Sequence, residues 1–352
     1  MQSVKIQNIQ ALRGIAVLLV VFFHMRTIEI KYAQFDLILP DFLMIGMSGV
    51  DLFFVISGFV MVVVTRGSFQ SNEAIKKFMY HRVTRIYPLY WIYSSLILCV
   101  YLIQPTLVNS AQGNQVNIIF SYLLLPQDLL PLINVGWTLI HEMYFYFIFA
   151  FLLLLPRGRF LFGLIIWGGY IVVVNNYYGP SSNSFVDVYT HPLTLEFISG
   201  CLIGIMYFNR PLFGHAKFCA LLAFSSWFLA YYYTHELSGD ITPDGWVRIF
   251  VYGVPAALTL YAALLLEIKD EILMPVWLRS IGDASYSIYL SHVIVLSVVG
   301  RIWFSFASEG SVDNIIMVFV MTSAVLIAGF LSYYLIERLM LKKTSNLEKK
   351  LF

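Results

Sequence analysis

The chain has 352 residues, of which 59% are hydrophobic and only 12% charged, about half of the roughly 25% charged residues that are usual in soluble domains. This composition excludes a soluble globular protein and predicts a polytopic membrane protein whose partner is the lipid bilayer. The net charge of +2 gives no reason to expect a nucleic-acid partner, and three cysteines without CxxC spacing predict neither disulfides nor a metal site.

Ten apolar runs have roughly the 17 to 25 residues that cross the hydrocarbon core of a bilayer. The predicted spans are 9–28, 44–65, 86–105, 137–155, 160–176, 193–209, 216–234, 246–267, 284–305 and 313–336. The stretch 115–133 is interrupted by Pro126, Asp128 and Pro131, so we predict an interfacial or re-entrant segment there. The expected fold class is all-α, with a single transmembrane domain at 1–340 and a basic tail at 341–352.

The distribution of Lys and Arg predicts the orientation of these spans, because cytoplasmic loops carry an excess of positive charge. Ten spans with a cytoplasmic N-terminus place only Arg26, Lys31, Arg248 and Arg301 outside. The other 18 cations lie inside: Lys5, Arg13, Arg66, Lys76, Lys77, Arg82, Arg85, Arg157, Arg159, Arg210, Lys217, Lys269, Arg279, Arg338, Lys342, Lys343, Lys349 and Lys350. If 115–133 also crossed, eleven of them would move outside. We therefore expect both termini in the cytoplasm.

The first predicted span carries Arg13 and His24 on one face. An offset of eleven residues returns a helix to within about 20° and advances it about 16 Å. A charged and a titratable side chain at these depths are too costly to face lipid, so this face is expected to line an internal cavity. A hydrogen-bonded packing role is the alternative for His24 alone.

Three carboxylates enter the predicted bundle near the depth of His24, in its outer third. They are Asp51, Glu142 and Glu196, each one to two turns below the outer surface. Intramembrane ionisable residues are functional candidates, although hydration at the interface or helix capping would explain Asp51 and Glu196 equally well. Glu142 is the strongest candidate, because Tyr146 one turn later continues a polar stripe on its face.

Two arginines three residues apart, Arg82 and Arg85, precede the third span on its cytoplasmic side. Arg binds phosphate in a bidentate manner, so this pair, with Arg13 at the same depth and Lys76 nearby, suits a polyanionic ligand from the cytoplasm. The general excess of positive charge on the cytoplasmic side would by itself explain the presence of Lys76. The ninth span begins with a further polar stripe that ends at His292, which is expected either to line the cavity or to bond structurally to nearby hydroxyls.

Five motifs in this order resemble those of the bacterial membrane acyltransferase-3 family, over 9–337. They are Leu12-Arg13-Gly14 with His24, Gly49-Val50-Asp51 continuing to Ser57-Gly58-Phe59, Arg82-x-x-Arg85 with Pro88 and Trp91, Gly136-Trp137-Thr138-Leu139 with Glu142 and Tyr146, and Ser285-Tyr286-Ser287 with Tyr289 and His292. The resemblance implies a ten-helix bacterial inner-membrane enzyme. Such an enzyme moves an acyl group, most often acetyl, from cytoplasmic acyl-coenzyme A to a hydroxyl of a glycan or lipid-linked saccharide, such as O-antigen of lipopolysaccharide or exopolysaccharide. No metal is implied.

The resemblance also implies which positions act. Arg13, His24, Arg82, Arg85, Trp137 and Glu142 match the functional positions of the family. The longer members carry a fused periplasmic esterase-like domain after the last helix, and we expect none here.

These roles suggest a mechanism. The three arginines, with Lys76, would hold the phosphates of coenzyme A. His24 would act as general base or as acyl carrier, while Glu142, or less favourably Asp51, orients its other ring nitrogen. Substrate contacts are expected from Trp137, Tyr146, Glu196 and His292, although an interfacial aromatic belt also explains the tryptophan.

Two other function classes fit the sequence. Ten helices with converging charges would suit a proton-coupled exporter of a small molecule or glycan, although 1–176 and 177–352 show no correspondence. A non-catalytic partner of a glycan-assembly complex is the third possibility. Coenzyme A binding discriminates the acyltransferase from both.

Overall fold

A computed structural model describes residues 6–33, 37–209, 212–269, 272–307 and 311–351. Within these ranges the regular structure is entirely helical, which confirms the all-α class. The α-helices are α1 (Gln7–Tyr32), α2 (Gly49–Val64), α3 (Asn72–Ile103), α4 (Ile118–Leu123), α5 (Gly136–Leu152), α6 (Arg157–Tyr178), α7 (Ser184–Thr190), α8 (Thr194–Asn209), α9 (Ala216–Tyr232), α10 (Gly245–Arg248), α11 (Val254–Lys269), α12 (Val276–Asp283), α13 (Ser285–Phe304), α14 (Ser311–Ser332) and α15 (Arg338–Leu351).

Irregular helical turns join several of these helices. The 3-10 turns are Asp41–Ser48, Pro105–Leu107 and Ser110–Gln112, and the π turns are Tyr233–Leu237, Ile249–Gly253 and Tyr333–Glu337. Of the predicted tail at 341–352, residues 341–351 are part of the helix α15. Two of the 18 cations predicted on the cytoplasmic side, Lys5 and Arg210, lie outside the residues that the structure describes.

Eight helical segments of the described chain are long and apolar enough to cross a bilayer. They are Gln7–Tyr32, Asp41–Val64, Asn72–Ile103, Arg157–Tyr178, Ser184–Asn209, Gly245–Lys269, Ser285–Phe304 and Val312–Leu351. Each overlaps one of the predicted spans. The remaining two, 137–155 and 216–234, correspond to the helices α5 and α9, of 17 residues each, and their crossing of the membrane stays a prediction.

The segment 115–133 forms no spanning helix, as its prolines predicted. Its helix α4 has only six residues, and side chains of α3 bind the backbone around it. Tyr90 donates to the carbonyl of Ser121 at 2.7 Å, and Trp91 Nε1 donates to the carbonyl of Tyr122 at 2.9 Å. Irregular backbone inside a membrane protein needs such partners, because lipid supplies none. These hydrogen bonds therefore let a non-helical segment pack against α3.

The chain divides into two compact units. The first unit is Met1–Val60 with Ser199–Tyr333, and the second unit is Met61–Ile198 with Tyr334–Phe352.

Helix α1 is the centre of the first unit. Its side chains Ala11, Leu12, Ala16 and Val17 are fully buried. Its first backbone amides are bound by Glu267 of α11, whose two carboxylate oxygens accept from Gln7 N at 2.9 Å and Asn8 N at 2.8 Å. A carboxylate at this end neutralises the positive pole of the helix and satisfies amides that have no partner within it.

Glycines allow α12 to cross closely over α1. A Cβ atom on Gly282 of α12 would collide with the carbonyl oxygen of Gln10, and one on Gly14 of α1 would collide with the carbonyl oxygen of Leu278. Small residues at such crossings bring two backbones together in membrane proteins. The crossing places the start of α13, which follows α12 directly, beside the first turns of α1.

Aromatic rings form the core of the second unit. Phe145 of α5 stacks on Phe197 of α8, with ring centroids 4.3 Å apart, and on Trp167 of α6 at 5.7 Å. The terminal helix α15 packs on the beginning of α3. There Glu348 pairs with Lys77 at 2.8 Å and lies 3.2 Å from His81 Nε2. The helix α15 thus covers part of the charged start of α3.

Candidate active site

The predicted polar face of α1 meets the predicted polar stripe of α13 in the first unit. The guanidinium of Arg13 donates to Ser285 Oγ at 3.0 Å and to Gln10 Oε1 at 3.3 Å. Further along both helices, His24 Nδ1 lies 3.3 Å from His292 Nε2. Both contacts advance in the same direction of the chain, so α1 and α13 run parallel, as a first and a ninth span should.

The two imidazoles form a compact pair. Their ring centroids are 4.9 Å apart with planes at 71°. His24 is half-buried, whereas His292 is fully buried. Each ring also contacts a backbone carbonyl: Nδ1 of His24 lies 2.9 Å from the oxygen of Val20, and Nδ1 of His292 lies 2.6 Å from that of Tyr289. His24 thus presents an imidazole whose orientation is fixed through Nδ1.

The sequence analysis predicted that Glu142, or less favourably Asp51, orients the imidazole of His24. In the first unit, Nδ1 instead faces Val20 and His292, and Asp51 has a different partner. Arg248 Nε binds one carboxylate oxygen of Asp51 at 2.8 Å, and Nη2 binds the other at 3.0 Å. Both side chains are buried. The structure therefore gives Asp51 a bidentate ion pair, and a catalytic role for it stays a prediction.

Arg248 is the residue that sequence reasoning missed. The distribution of Lys and Arg predicted that Arg248 is one of four cations on the outer side of the membrane, yet its side chain is only 4% exposed. The signal was available, because Arg248 lies inside the predicted span 246–267 and an arginine within an apolar run needs a carboxylate partner. The π turn Ile249–Gly253 follows it directly.

Seven predicted residues lie in the second unit, and three of them come together there. Tyr146 of α5 donates a short hydrogen bond to Glu142 Oε1, which confirms that the two share a face. The guanidinium of Arg82 lies 5.7 Å from the ring centroid of Tyr146 and 5.9 Å from that of Phe78. Arg82, predicted on the cytoplasmic side, and Glu142, predicted in the outer third of the membrane, thus both contact Tyr146.

Arg85, one turn after Arg82, lies beside another carboxylate. Its Nη1 is 3.6 Å from Glu337 Oε1 in the π turn before α15. Glu337 is buried, so this contact brings an anion next to a predicted phosphate ligand. Lys76 is exposed near the start of α3.

The remaining two predicted residues lie at helix beginnings. Trp137, the second residue of α5, is half-buried and its ring meets that of His141 edge-on at 5.9 Å. His141 in turn contacts the ring of His191 at 5.1 Å. Glu196 is buried in the first turn of α8. No group of three or more potential metal ligands clusters in the described ranges.

Comparison with known proteins identifies the family of the chain. Residues 6–334 match the family described as acyltransferase domain, Acyl_transf_3. The chain belongs to this acyltransferase family. The acyltransferase is also 29% identical over 321 residues to the exopolysaccharide production protein ExoZ of Rhizobium meliloti (strain 1021), a match that covers 85% of this chain and 90% of that protein. No solved structure matches significantly.

Proposed function

We propose that this acyltransferase moves an acyl group, acetyl in the first instance, from cytoplasmic acyl-coenzyme A to a hydroxyl of an exopolysaccharide or its lipid-linked precursor in a bacterial inner membrane. The observation that carries the proposal is the meeting of α1 and α13, where Arg13 and His24 both contact polar side chains amid buried apolar helices. The family and the name of the similar ExoZ protein support the reaction and the class of acceptor.

The donor requires cations for its phosphates, and Arg82 fits that requirement. Its Nε is buried and has no hydrogen-bond partner in the described ranges, so the guanidinium has donor capacity that these residues leave unused. A phosphate oxygen would satisfy such a donor strongly, because hydrogen bonds between charged groups are short and strong. We assign Arg82 and Arg85 to the phosphates of the coenzyme and keep Arg13 and Lys76 as further cations for them.

His24 supplies the proton transfer. As the acceptor hydroxyl oxygen attacks the thioester carbonyl, Nε2 of His24 takes the hydroxyl proton, the new C–O bond forms and the C–S bond breaks. The coenzyme leaves as thiolate and receives that proton from His24, so that ester and free thiol are the products. If His24 instead carries the acyl group, Nε2 attacks the carbonyl carbon, the C–S bond breaks and the coenzyme leaves as thiolate. The acceptor hydroxyl then attacks the acyl-imidazolium and gives its proton to the thiolate, and the bond between the acyl carbon and Nε2 breaks, which frees neutral His24.

The acceptor side is assigned to residues of the second unit. The indole of Trp137 offers a flat apolar face to a sugar ring, and Glu142, Tyr146 and Glu196 offer polar groups to its hydroxyls. An exopolysaccharide repeat presents many hydroxyls, so a few oriented side chains suffice to select one of them.

The first test is His24→Ala in cells that lack the chromosomal gene. We expect the exopolysaccharide from these cells to lose its acyl groups, as measured by mass spectrometry, while the variant remains folded in detergent. The matched control is His215→Ala, because His215 is exposed and makes no capping bond at the start of α9. Normal acylation by His24→Ala would refute the base and the acyl-carrier roles together.

The second test separates the donor site from the reaction. Arg82→Ala should weaken coenzyme A binding by about tenfold or more in calorimetry, since a lost charged hydrogen bond is worth roughly 1.5–3 kcal/mol. Arg159→Ala, which removes an exposed cation at the start of α6, should leave binding unchanged. Equal weakening by both would indicate a general charge effect and not a site. Absence of coenzyme A binding to the wild-type protein would favour an exporter or a non-catalytic partner.

A further inference from the structure

The contacts of the histidine pair determine where its protons lie. A backbone carbonyl only accepts hydrogen bonds, so a ring nitrogen beside one must carry hydrogen. The 2.6 Å contact with the oxygen of Tyr289 therefore makes His292 Nδ1 an N–H group. The 2.9 Å contact with the oxygen of Val20 does the same for His24 Nδ1.

Burial then fixes the second nitrogen of His292. Its side chain is fully buried, and within the described part of the first unit its polar contacts are the backbone carbonyls of Tyr289 and Ile288 and the ring of His24. A second proton would place an unpaired charge there, which is costly. His292 is therefore neutral, and its Nε2 is an acceptor. Nε2 of His292 lies 3.3 Å from His24 Nδ1, so the hydrogen on that Nδ1 faces two acceptors, this nitrogen and the carbonyl oxygen of Val20.

We propose that His292 is the positioning residue for His24. It holds His24 in the tautomer with hydrogen on Nδ1, which leaves the lone pair on Nε2 for the acceptor hydroxyl or the acyl group. It also stabilises the cation that forms when Nε2 takes a proton or an acyl group, because a second acceptor then faces the positively charged Nδ1–H. In hydrolase triads a carboxylate orients the histidine and stabilises its cation in this way.

This assignment changes the role of His292. The sequence placed it among the substrate-binding residues, but a fully buried ring offers no surface to a glycan. It lies behind the half-buried His24 and acts through it. The inference rests on the proposed function of His24, yet the tautomers of both rings are observable without any reaction.

The first experiment is nitrogen NMR on the full-length protein in lipid with 15N-labelled histidine, with the resonances assigned from His24→Ala and His292→Phe. We expect hydrogen on Nδ1 and a bare Nε2 in both rings of the wild-type protein. Hydrogen on Nε2 of either ring, or a doubly protonated His292 at neutral pH, would overturn the inference even if His24→Ala abolishes transfer.

The second experiment compares His292→Phe with His292→Gln. Phenylalanine keeps an aromatic ring but removes the acceptor. We therefore expect kcat to fall by roughly 10- to 100-fold, the loss seen when the outer hydrogen-bond partner of a metal-ligating histidine is removed, with the KM for acyl-coenzyme A within twofold. Gln places its amide oxygen near the former Nε2 and should retain kcat within about fivefold, because the acceptor and not the ring is what His24 needs.

A control on the same helix separates positioning from packing. Ser291→Ala removes a buried hydroxyl that bonds only the carbonyl of Ile288 in the described ranges, and it should leave kcat unchanged. A normal kcat in His292→Phe would overturn the positioning role, as would an equal loss in the phenylalanine and glutamine variants. If His24→Ala proves fully active while the tautomers are as expected, the proposed function fails and the contact between the rings stands.

Discussion

At the scale of single residues, two buried arginines of the first unit, Arg26 and Arg248, are paired with carboxylates. Asp51 and Arg248 are joined by two hydrogen bonds, and Arg26 binds Glu29 at 3.1 Å and Asp41 at 2.5 Å. The sequence analysis counted both arginines on the outer side of the membrane, and the structure buries both side chains. A carboxylate partner makes such burial tolerable, because an isolated ion in an apolar environment would cost several kcal/mol.

Asp51→Asn tests whether this carboxylate is structural or catalytic. Removing one member of a buried pair leaves the other uncompensated, and we expect a loss of about 3–5 kcal/mol in stability, seen as a lower Tm in detergent. The double variant Asp51→Leu with Arg248→Met should recover most of that loss. An unchanged Tm in Asp51→Asn with abolished acyl transfer would instead support the catalytic role that the sequence suggested.

At the scale of helices, the sequence located the elements better than their contacts. Hydropathy identified the eight described segments that are long and apolar enough to cross a bilayer, because burial in lipid requires a continuous apolar run. It underestimated α3, which begins at Asn72 and not at 86, because its first turns are helical but charged. Hydropathy could not predict the ion pair between Asp51 and Arg248, which are 197 residues apart, because a local pattern does not indicate which distant helices pack together.

The crossing of α1 and α12 gives the helix-scale prediction. Gly282→Ala would drive a methyl group into the carbonyl of Gln10, and backbone cannot move aside as a side chain does. We expect a loss of roughly 1–3 kcal/mol, measured as a lower Tm, together with reduced transfer because Arg13 and Ser285 flank the crossing.

The control for this variant is Gly169→Ala on the exposed face of α6, where a methyl group meets nothing within 4 Å. Because alanine favours helix over glycine by up to about 1 kcal/mol, it should be neutral or slightly stabilising. Equal effects of the two substitutions would mean that close packing at Gly282 has no part in stability.

At the scale of the whole molecule, many large apolar side chains remain exposed, among them Phe162, Phe224 and Phe319, each at least 63% accessible. Such surface belongs in contact with lipid. The orientation of the helices in that lipid rests on the distribution of Lys and Arg, and on the absence of a crossing at 115–133. The short helix α4 and its hydrogen bonds to α3 agree with that absence.

Accessibility of single cysteines tests the orientation. In a variant with Cys99, Cys201 and Cys219 replaced by serine, Ser182→Cys should react in intact inner-membrane spheroplasts with a thiol reagent that cannot cross membranes. Gly158→Cys should react only after the membrane is opened. Both positions are exposed, so the difference reports the side of the membrane and not burial.

A crossing at 115–133 would reverse both results, because every later loop would change sides. It would also move eleven cations to the outer surface, against the retention of positive charge on the cytoplasmic side. Labelling of Gly158→Cys without opening the membrane would therefore refute the ten-span topology. Labelling of Ser182→Cys alone would place the loop between α6 and α7 outside, and with it the loop after α3 that precedes Trp137, since two crossings separate them.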